Sequence, residues 1–351
     1  MPGNTPAGSD LAIGWIGLDA PLELIEAAGR TPRRIVPDFK RPPGPVSAYG
    51  EGGGHPWMRA VAAALLAEAP RLEGVVLCSM PVNELWLYNF ILSLSLRGEA
   101  GAFPKAELLN ISHERRPSAE RLNLDALKGL ARTLKVDAVA LTDAIAGRNA
   151  VRAMLRRIDG LRTGARGGIT GAVARRLMDP ADSLPARDYL ALADRLLAEA
   201  PPSAGGLPVI LSSPTTPSLE LYDALEARGL RIVGDDAEAG TRAIGPDVEA
   251  GDDPLAALAR RYAGRDPAPA GWSTAERTAY LLDMAQSRGA RAVLFDQPVW
   301  SHPTAWDYPA ERQALESAGV ACVVLLQGDE SAVANAARDA LEPVIAETAD
   351  V

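Results

Sequence analysis

Short apolar strands alternate with amphipathic helices at both ends of this chain, and no other feature restricts its fold as much. Near the start, LAIGWIG (11–17) is followed by PLELIEAAG, whose leucine, isoleucine and alanine recur at helical spacing, and then by RRIV (33–36). Asp19 is placed to cap that first helix and Gly29 to stop it. After a Gly/Pro-rich loop comes HPWMRAVAAALLAEA with Pro56 in its first turn. GVVLCS (74–79), a helix over VNELWLYNFILSL and AELLNIS (106–112) follow. The last third repeats the theme with strands PVILSS (208–213), LRIVGDD (230–236), RAVLFDQ (291–297) and ACVVLLQ (321–327). Helices are expected near 217–228, 273–288, 309–318 and 330–346, with Thr216 and Pro217 marking one start. Strands with so few polar residues must be covered on both faces, which predicts parallel sheets.

The middle third has no strand signal. Residues 118–133, 137–160, 165–178 and 186–200 read as helices, and Arg148, Arg152, Arg156 and Arg157 as a solvated helix face. PPSAGG (201–206) reads as a linker. A chain of 351 residues suits two domains. The expected fold is α/β, with two Rossmann-like parallel-sheet domains facing a cleft and joined by a helical middle segment. The boundaries are 1–115, 116–204 and 205–351. GVVLCSMPV and AVLFDQPV echo one another, each an apolar strand ending in a loop with Pro-Val. Ligands of parallel sheets gather at the carboxyl ends of strands, so both loops are expected at the cleft.

A net charge of −9 argues against a nucleic-acid surface, which needs excess Lys and Arg. Two cysteines cannot build a disulfide framework. MPGNTPAGSD lacks the basic start and apolar core of a signal peptide, and LWLYNFILSLSL is too short to span a bilayer. The expectation is a cytoplasmic protein with no membrane or nucleic-acid partner.

Few motifs carry chemistry. GEGGGHPW (50–57) opens a helix with glycines, as phosphate loops do, but lacks GK[ST] and reads as a flexible loop. Three histidines and no G-x-S-x-G elbow leave a hydrolase triad without support. Asp235 and Asp236 directly follow a strand and suit either loop hydrogen bonds or a ligand. His55, Cys78 and His302 are zinc-type ligands near strand or helix ends, although they share no local spacing.

GWIGLDAPLELIEAAGRTPRRI resembles the opening of the 2-hydroxyacyl-CoA dehydratase and benzoyl-CoA reductase subunit family. Gly14, Trp15, Pro21, Glu23, Leu24, Ile25, Ala27, Ala28, Gly29, Pro32 and Arg34 match its pattern. Ile145, Asn149 and Arg152 resemble the family's Ile–Asn–Arg helix. GDDAEAGTR, DPLAALARRY (253–262), Arg277 and DYPAERQALESAGV (307–320) continue the match in order. The resemblance implies two Rossmann-like domains and an assembly of two related subunits. It also implies a 4Fe–4S cluster held by three cysteines at the interdomain cleft, and an ATP-hydrolysing activator that supplies a low-potential electron. The implied substrate is an acyl-CoA thioester, reduced to a ketyl-type radical before water leaves or an aromatic ring is reduced.

The departures fall on the cluster ligands. Where the family has Cys-Pro-aromatic, this chain has His55-Pro56-Trp57; the second position falls on Pro81, three residues after Cys78. The third segment reads Ser301-His302-Pro303, ahead of Trp306-Asp307-Tyr308-Pro309. Iron–sulfur clusters are normally held by thiolates. The expectation is therefore a cluster-free subunit that binds no cofactor itself and pairs with a cysteine-bearing homologue. The alternatives are a different metal on His55, Cys78 and His302, or a non-enzymatic acyl-CoA-binding or regulatory protein. Expected substrate-lining residues are Leu18, Asp19, Gly53, Gly54, His55, Ser79, Met80, Asn83, Ser213, Thr215, Trp300 and Ser301, with no acid or base assigned. Cys78 reads as an inert strand-end thiol.

Overall fold

The computed structural model describes residues 12–39, 55–78, 82–99, 101–114, 116–164, 168–203, 205–237, 240–266, 272–298, 302–326 and 328–349. In chain order these begin with β1 (Ala12–Ile16), α1 (Leu22–Ala27), β2 (Thr31–Arg34), α2 (Pro56–Glu68), β3 (Leu72–Cys78), α3 (Val82–Leu96) and β4 (Ala106–Leu109). Four helices follow: α4 (Pro117–Leu134), α5 (Ala138–Thr163), α6 (Gly171–Met178) and α7 (Ala186–Ala198). The rest comprises β5 (Leu207–Ser212), α8 (Leu219–Glu226), β6 (Leu230–Asp235), α9 (Thr241–Ile244), α10 (Pro254–Ala263) and α11 (Thr274–Ser287). The chain closes with β7 (Ala292–Gln297), α12 (His302–Ser317), β8 (Ala321–Leu326), α13 (Glu330–Ala340) and α14 (Glu342–Ala349). None of these helices is long and apolar enough to cross a membrane.

The chain forms two compact units. The first comprises Met1–Asn149, Ala181–Arg187 and Val248–Gly264; the second comprises Ala150–Pro180, Asp188–Asp247 and Arg265–Val351. Each holds one four-stranded, all-parallel sheet, in the order β2-β1-β3-β4 in the first and β6-β5-β7-β8 in the second. The α/β expectation holds, and the two sheets share one strand order.

In the first unit, Ile13, Trp15, Val76 and Cys78 pack with Leu24 and Ile25 of α1, Leu127 and Leu130 of α4, and Leu258 and Tyr262 of α10. Each large apolar side chain buried this way contributes about 1.5–3 kcal/mol. β2 starts two residues earlier than RRIV. Pro32 pairs opposite Ile13 on an edge strand, where a missing N–H is tolerated, and the Ile35 N–H still donates to the Trp15 carbonyl. Asp19 does not cap α1. The residue before that helix is Pro21, with no side-chain cap, because the Asp19 carboxylate is paired with His113. At the other end, Gly29 and Arg30 donate to Glu26 and Ile25 carbonyls and stop the helix as expected.

In the second unit, consecutive strand residues bury themselves on opposite faces of the sheet. Val209, Leu211 and Leu294 pack with Tyr222 and Leu225 of α8 on one side. Ile210, Val293 and Phe295 pack with Leu281, Met284 and Leu315 of α11 and α12 on the other. That two-sided burial is why the strands read as unbroken apolar runs.

Several helix limits differ from expectation for local reasons. α6 begins at Gly171, not 165, where the Thr170 hydroxyl accepts from the Val173 N–H and the Glu226 carboxylate from Gly171 and Ala172. α8 is capped by Ser218, not started at Thr216–Pro217. α12 begins at His302 and carries Pro309 inside it. The segment 330–346 is two helices, because Pro343 lacks the N–H that a continuous helix needs and instead opens α14.

The arginine face is also corrected. Arg148 and Arg152 are buried, and only Arg156 and Arg157 are solvated. Arg148 pairs with Glu26 and donates to the carbonyls of Ala181 and Leu184, so both terminal nitrogens of the buried guanidinium have acceptors. Arg152 stands 3.7 Å from Asp247.

Candidate functional site

In each unit the first strand has the second on one side and the third on the other. The sheet therefore reverses its building direction between β1 and β3 and between β5 and β7. Outside the carboxyl ends of such strand pairs, open parallel sheets hold their ligands.

At this point in the second unit, β5 ends in Ser212 and continues into Ser213 and Thr215. The Ser212 hydroxyl donates to Asp236 Oδ2 at 2.8 Å and the Ser213 N–H to Asp236 Oδ1 at 2.9 Å. The Ser213 hydroxyl donates to Asp296 Oδ2 at 2.9 Å, which links the ends of β5 and β7. Thr215 adds its N–H to Ser213 Oγ at 3.2 Å, and the two hydroxyl oxygens are 3.3 Å apart. Arg277 of α11 donates through Nη2 to Asp236 Oδ2 at 2.8 Å, and its Nε lies 3.5 Å from Glu311 Oε1 of α12.

Asp235 and Asp236 are fully buried ion-pair members, so neither is a solvated loop residue. Asp236 takes Arg277, whereas Asp235 accepts from Arg162 Nη1 at 2.6 Å. Arg162 also donates to Asp159 Oδ1 at 2.7 Å and to the Thr241 hydroxyl, and Arg288 closes a two-pronged pair on Asp159. Gly240 fits against this network only for want of a side chain. A Cβ there would lie 1.3 Å from Asp235 Oδ1.

The electrostatics follow from burial and partners. Burial raises the Asp296 carboxyl above the ordinary range, opposed by the Ser213 hydroxyl. Burial pushes Glu311 up to about 7 against the pull of Arg277, with Asp236 and Asp307 adding repulsion. Burial also works against ionised Asp159, but Arg162 and Arg288 hold its carboxyl below the usual value.

The corresponding position in the first unit is built differently. Asp19, after β1, adopts a left-handed backbone (φ 66°) and pairs through Oδ2 with His113 Nε2 at 3.1 Å. His113 Nδ1 lies 3.4 Å from the Ala263 carbonyl oxygen. The Tyr262 hydroxyl donates to Glu23 Oε2 at 2.8 Å and lies 3.0 Å from the Ala20 carbonyl oxygen. Glu23 and Glu84 are both buried. Gly17 presses on the end of β3, where a Cβ would stand 2.6 Å from the Cys78 carbonyl oxygen and 3.0 Å from Glu84 Cγ.

The expected lining residues are distributed as follows. Ser213 and Thr215 come together in the second unit. In the first, Leu18 is buried beside Asp19, His55 precedes α2 half-buried, and Asn83 is half-buried in the first turn of α3. Gly53, Gly54, Ser79, Met80, Trp300 and Ser301 lie outside the described residues, as does Pro81, and of His302 only its place at the start of α12 is described. Sequence reasoning gave no site role to Glu23, Glu84, His113 and Tyr262 in the first unit, or to Arg277, Asp296 and Glu311 in the second. Asp296 carried a signal, a lone acid closing the apolar run RAVLFDQ.

Among the described residues, no group of three or more His, Cys, Asp or Glu side chains is placed to hold a metal ion. Cys78 is packed in the core of the first unit, and Cys322 lies on β8 of the second, where burial pushes its thiol up to about 12. Thiolates, not thiols, ligate iron. A set of two such cysteines does not fit a cluster that takes three cysteine ligands.

Residues 101–338 match the family model described as 2-hydroxyglutaryl-CoA dehydratase, D-component. A segment of 134 residues is 27% identical to the (R)-phenyllactyl-CoA dehydratase beta subunit of Clostridium sporogenes, covering 38% of this chain and 36% of that relative. The chain thus matches about a third of that relative's length.

Proposed function

From the premise that the chain belongs to the 2-hydroxyglutaryl-CoA dehydratase D-component family, we propose that it is the cluster-free subunit of a 2-hydroxyacyl-CoA dehydratase or benzoyl-CoA reductase-type complex. Its substrate is an acyl-CoA thioester, its partner a related cysteine-bearing subunit, and its electron source an ATP-hydrolysing activator that acts on that partner. The complex works in the cytoplasm. One observation carries this reading: a family match over residues 101–338 in a chain with two cysteines, both committed to strand packing.

Within this proposal the chain's own residues bind and shape. The Ser213 hydroxyl, held by Asp296, and the Thr215 hydroxyl beside it present polar atoms next to the end of β5, where a thioester or its hydroxyacyl group could be oriented. Leu18, Asp19, Gly53, Gly54, His55, Ser79, Met80, Asn83, Trp300 and Ser301 are the further residues proposed to contact substrate. Electron transfer belongs to the partner.

Co-expression tests the proposal. A tagged chain should retain a cysteine-bearing homologue through size-exclusion chromatography, and the pair should bind acyl-CoA esters by calorimetry. A stable monomer or homodimer that takes up no homologue sinks the paired-subunit reading. Stoichiometric zinc or iron in the chain alone, lost in His55→Ala, would instead favour a metal on His55, Cys78 and His302. Acyl-CoA binding with no turnover, with or without partner and activator, would favour a binding protein.

A further inference from the structure

Two carboxyl groups, Asp236 and Glu311, share the Arg277 guanidinium near the carboxyl end of the second unit's sheet, and a third, Asp296, is joined to the same strand end through Ser213. Asp236 is fully buried, the Glu311 side chain is 4% exposed, and Arg277, which serves both, is 2% exposed. Among the described residues, Asp296 has the Ser213 hydroxyl as its partner, not a cation. Were Asp236 and Glu311 both ionised, the pair would hold one negative charge in excess of the single positive charge on Arg277. At a few ångströms in a poorly solvated interior, such repulsion is relieved most cheaply by retaining a proton.

The hydrogen bonds decide where that proton resides. Asp236 accepts from the Ser212 hydroxyl, the Ser213 N–H and Arg277 Nη2, and three donors on one carboxylate favour its ionised form. Among the described residues, Glu311 has the longer, 3.5 Å approach of Arg277 Nε. Among the described residues, the other titratable groups that act on this pair are Asp236 beyond β6, Asp307 on the same helix as Glu311, Cys322 on β8 and Tyr280 on α11.

We infer that this cluster is a proton-binding site: Glu311 takes up and releases the proton that relieves the excess charge, and Arg277 couples that release to the Ser212–Ser213 end of β5. When Glu311 ionises, Arg277 has two carboxylates to satisfy, and its bond to Asp236 weakens. The hydrogen bonds that set the Ser213 hydroxyl against Asp296 therefore respond to pH. The Glu311 carboxyl, raised to about 7, agrees with the charge count. The site belongs to the second unit whatever ligand the chain binds.

Infrared difference spectroscopy of the full-length chain tests the inference. Wild type should show a protonated-carboxyl C=O band at about pH 6 that disappears by about pH 9. Glu311→Gln should lose the component with a midpoint near neutrality, and Asp296→Asn should retain it. Absence of any protonated-carboxyl band in wild type at about pH 6 overturns the site. Loss of the near-neutral component in Asp296→Asn but not in Glu311→Gln overturns the assignment to Glu311. The wild-type band remains decisive if a variant does not fold.

Discussion

Gly17 lies so close to the end of β3 that a Cβ on it would come within 2.6 Å of the Cys78 carbonyl oxygen, and its φ of 94° is one that side chains resist. Backbone cannot yield as a flexible side-chain tip can. Gly17→Ala should therefore destabilise the chain by about 2–4 kcal/mol, as measured by denaturant unfolding. Wild-type stability in that variant would mean that β1 and β3 are not held in this register. The same packing predicts that Cys78 reacts slowly with thiol reagents in the native state and quickly in denaturant.

Gly240 makes the corresponding prediction for the second unit. A methyl group at this position collides with Asp235 Oδ1, so Gly240→Ala must displace the carboxylate that receives Arg162. Disrupting a fully buried pair typically costs about 3–5 kcal/mol. Gly240→Ala and Asp235→Ala should be similarly unstable in thermal melts, and the double variant should add little to either.

Arg148 and Glu26 form a second buried pair, in the first unit. Arg148→Ala would leave the Glu26 carboxylate without its cation and strand the Ala181 and Leu184 carbonyls, a loss of about 3–5 kcal/mol. Pairing it with Glu26→Gln should recover part of that loss, because an amide needs no counter-charge. Full additivity in the double-mutant cycle would show that the two side chains do not interact.

The pH dependence of stability has a definite sign. Glu311 binds its proton more tightly folded, at about 7, than at its ordinary value of 4.5. The folded state therefore holds more protons between those values, and stability from this group falls as pH rises through that window and then levels off. The loss is on the order of 3 kcal/mol. Asp159 works oppositely, contributing stability above its ordinary 3.8 that is lost as pH falls through its lowered folded value. Thermal melts should show wild type losing stability relative to Glu311→Gln between about pH 5 and pH 8. Parallel curves would contradict this.

The fold was legible because two-sided burial leaves strands such as PVILSS and RAVLFDQ nearly free of polar residues. The polar sites were less legible, since what makes them is contact across long sequence separations. Arg148 reads as a surface residue of an amphipathic helix until Glu26, more than a hundred positions earlier, is placed beside it. His113 and Tyr262 acquire significance only when the fold delivers Asp19 and Glu23 to them. Ser213 and Thr215 could be placed at the carboxyl end of β5 from the sequence because the loop directly follows the apolar run PVILSS. Glu311 lies mid-helix in ERQALES, where the sequence pattern cannot distinguish a buried acid from a solvated one.

As proposed, this chain joins an acyl-CoA complex without supplying an iron–sulfur cluster. The most direct measurement is iron and acid-labile sulfide in the anaerobically purified chain, alone and together with a cysteine-bearing homologue. The account predicts background iron in the chain alone, and a cluster in the pair that is lost when the homologue's cysteines are replaced. A full complement of iron and sulfide on the isolated chain would contradict it.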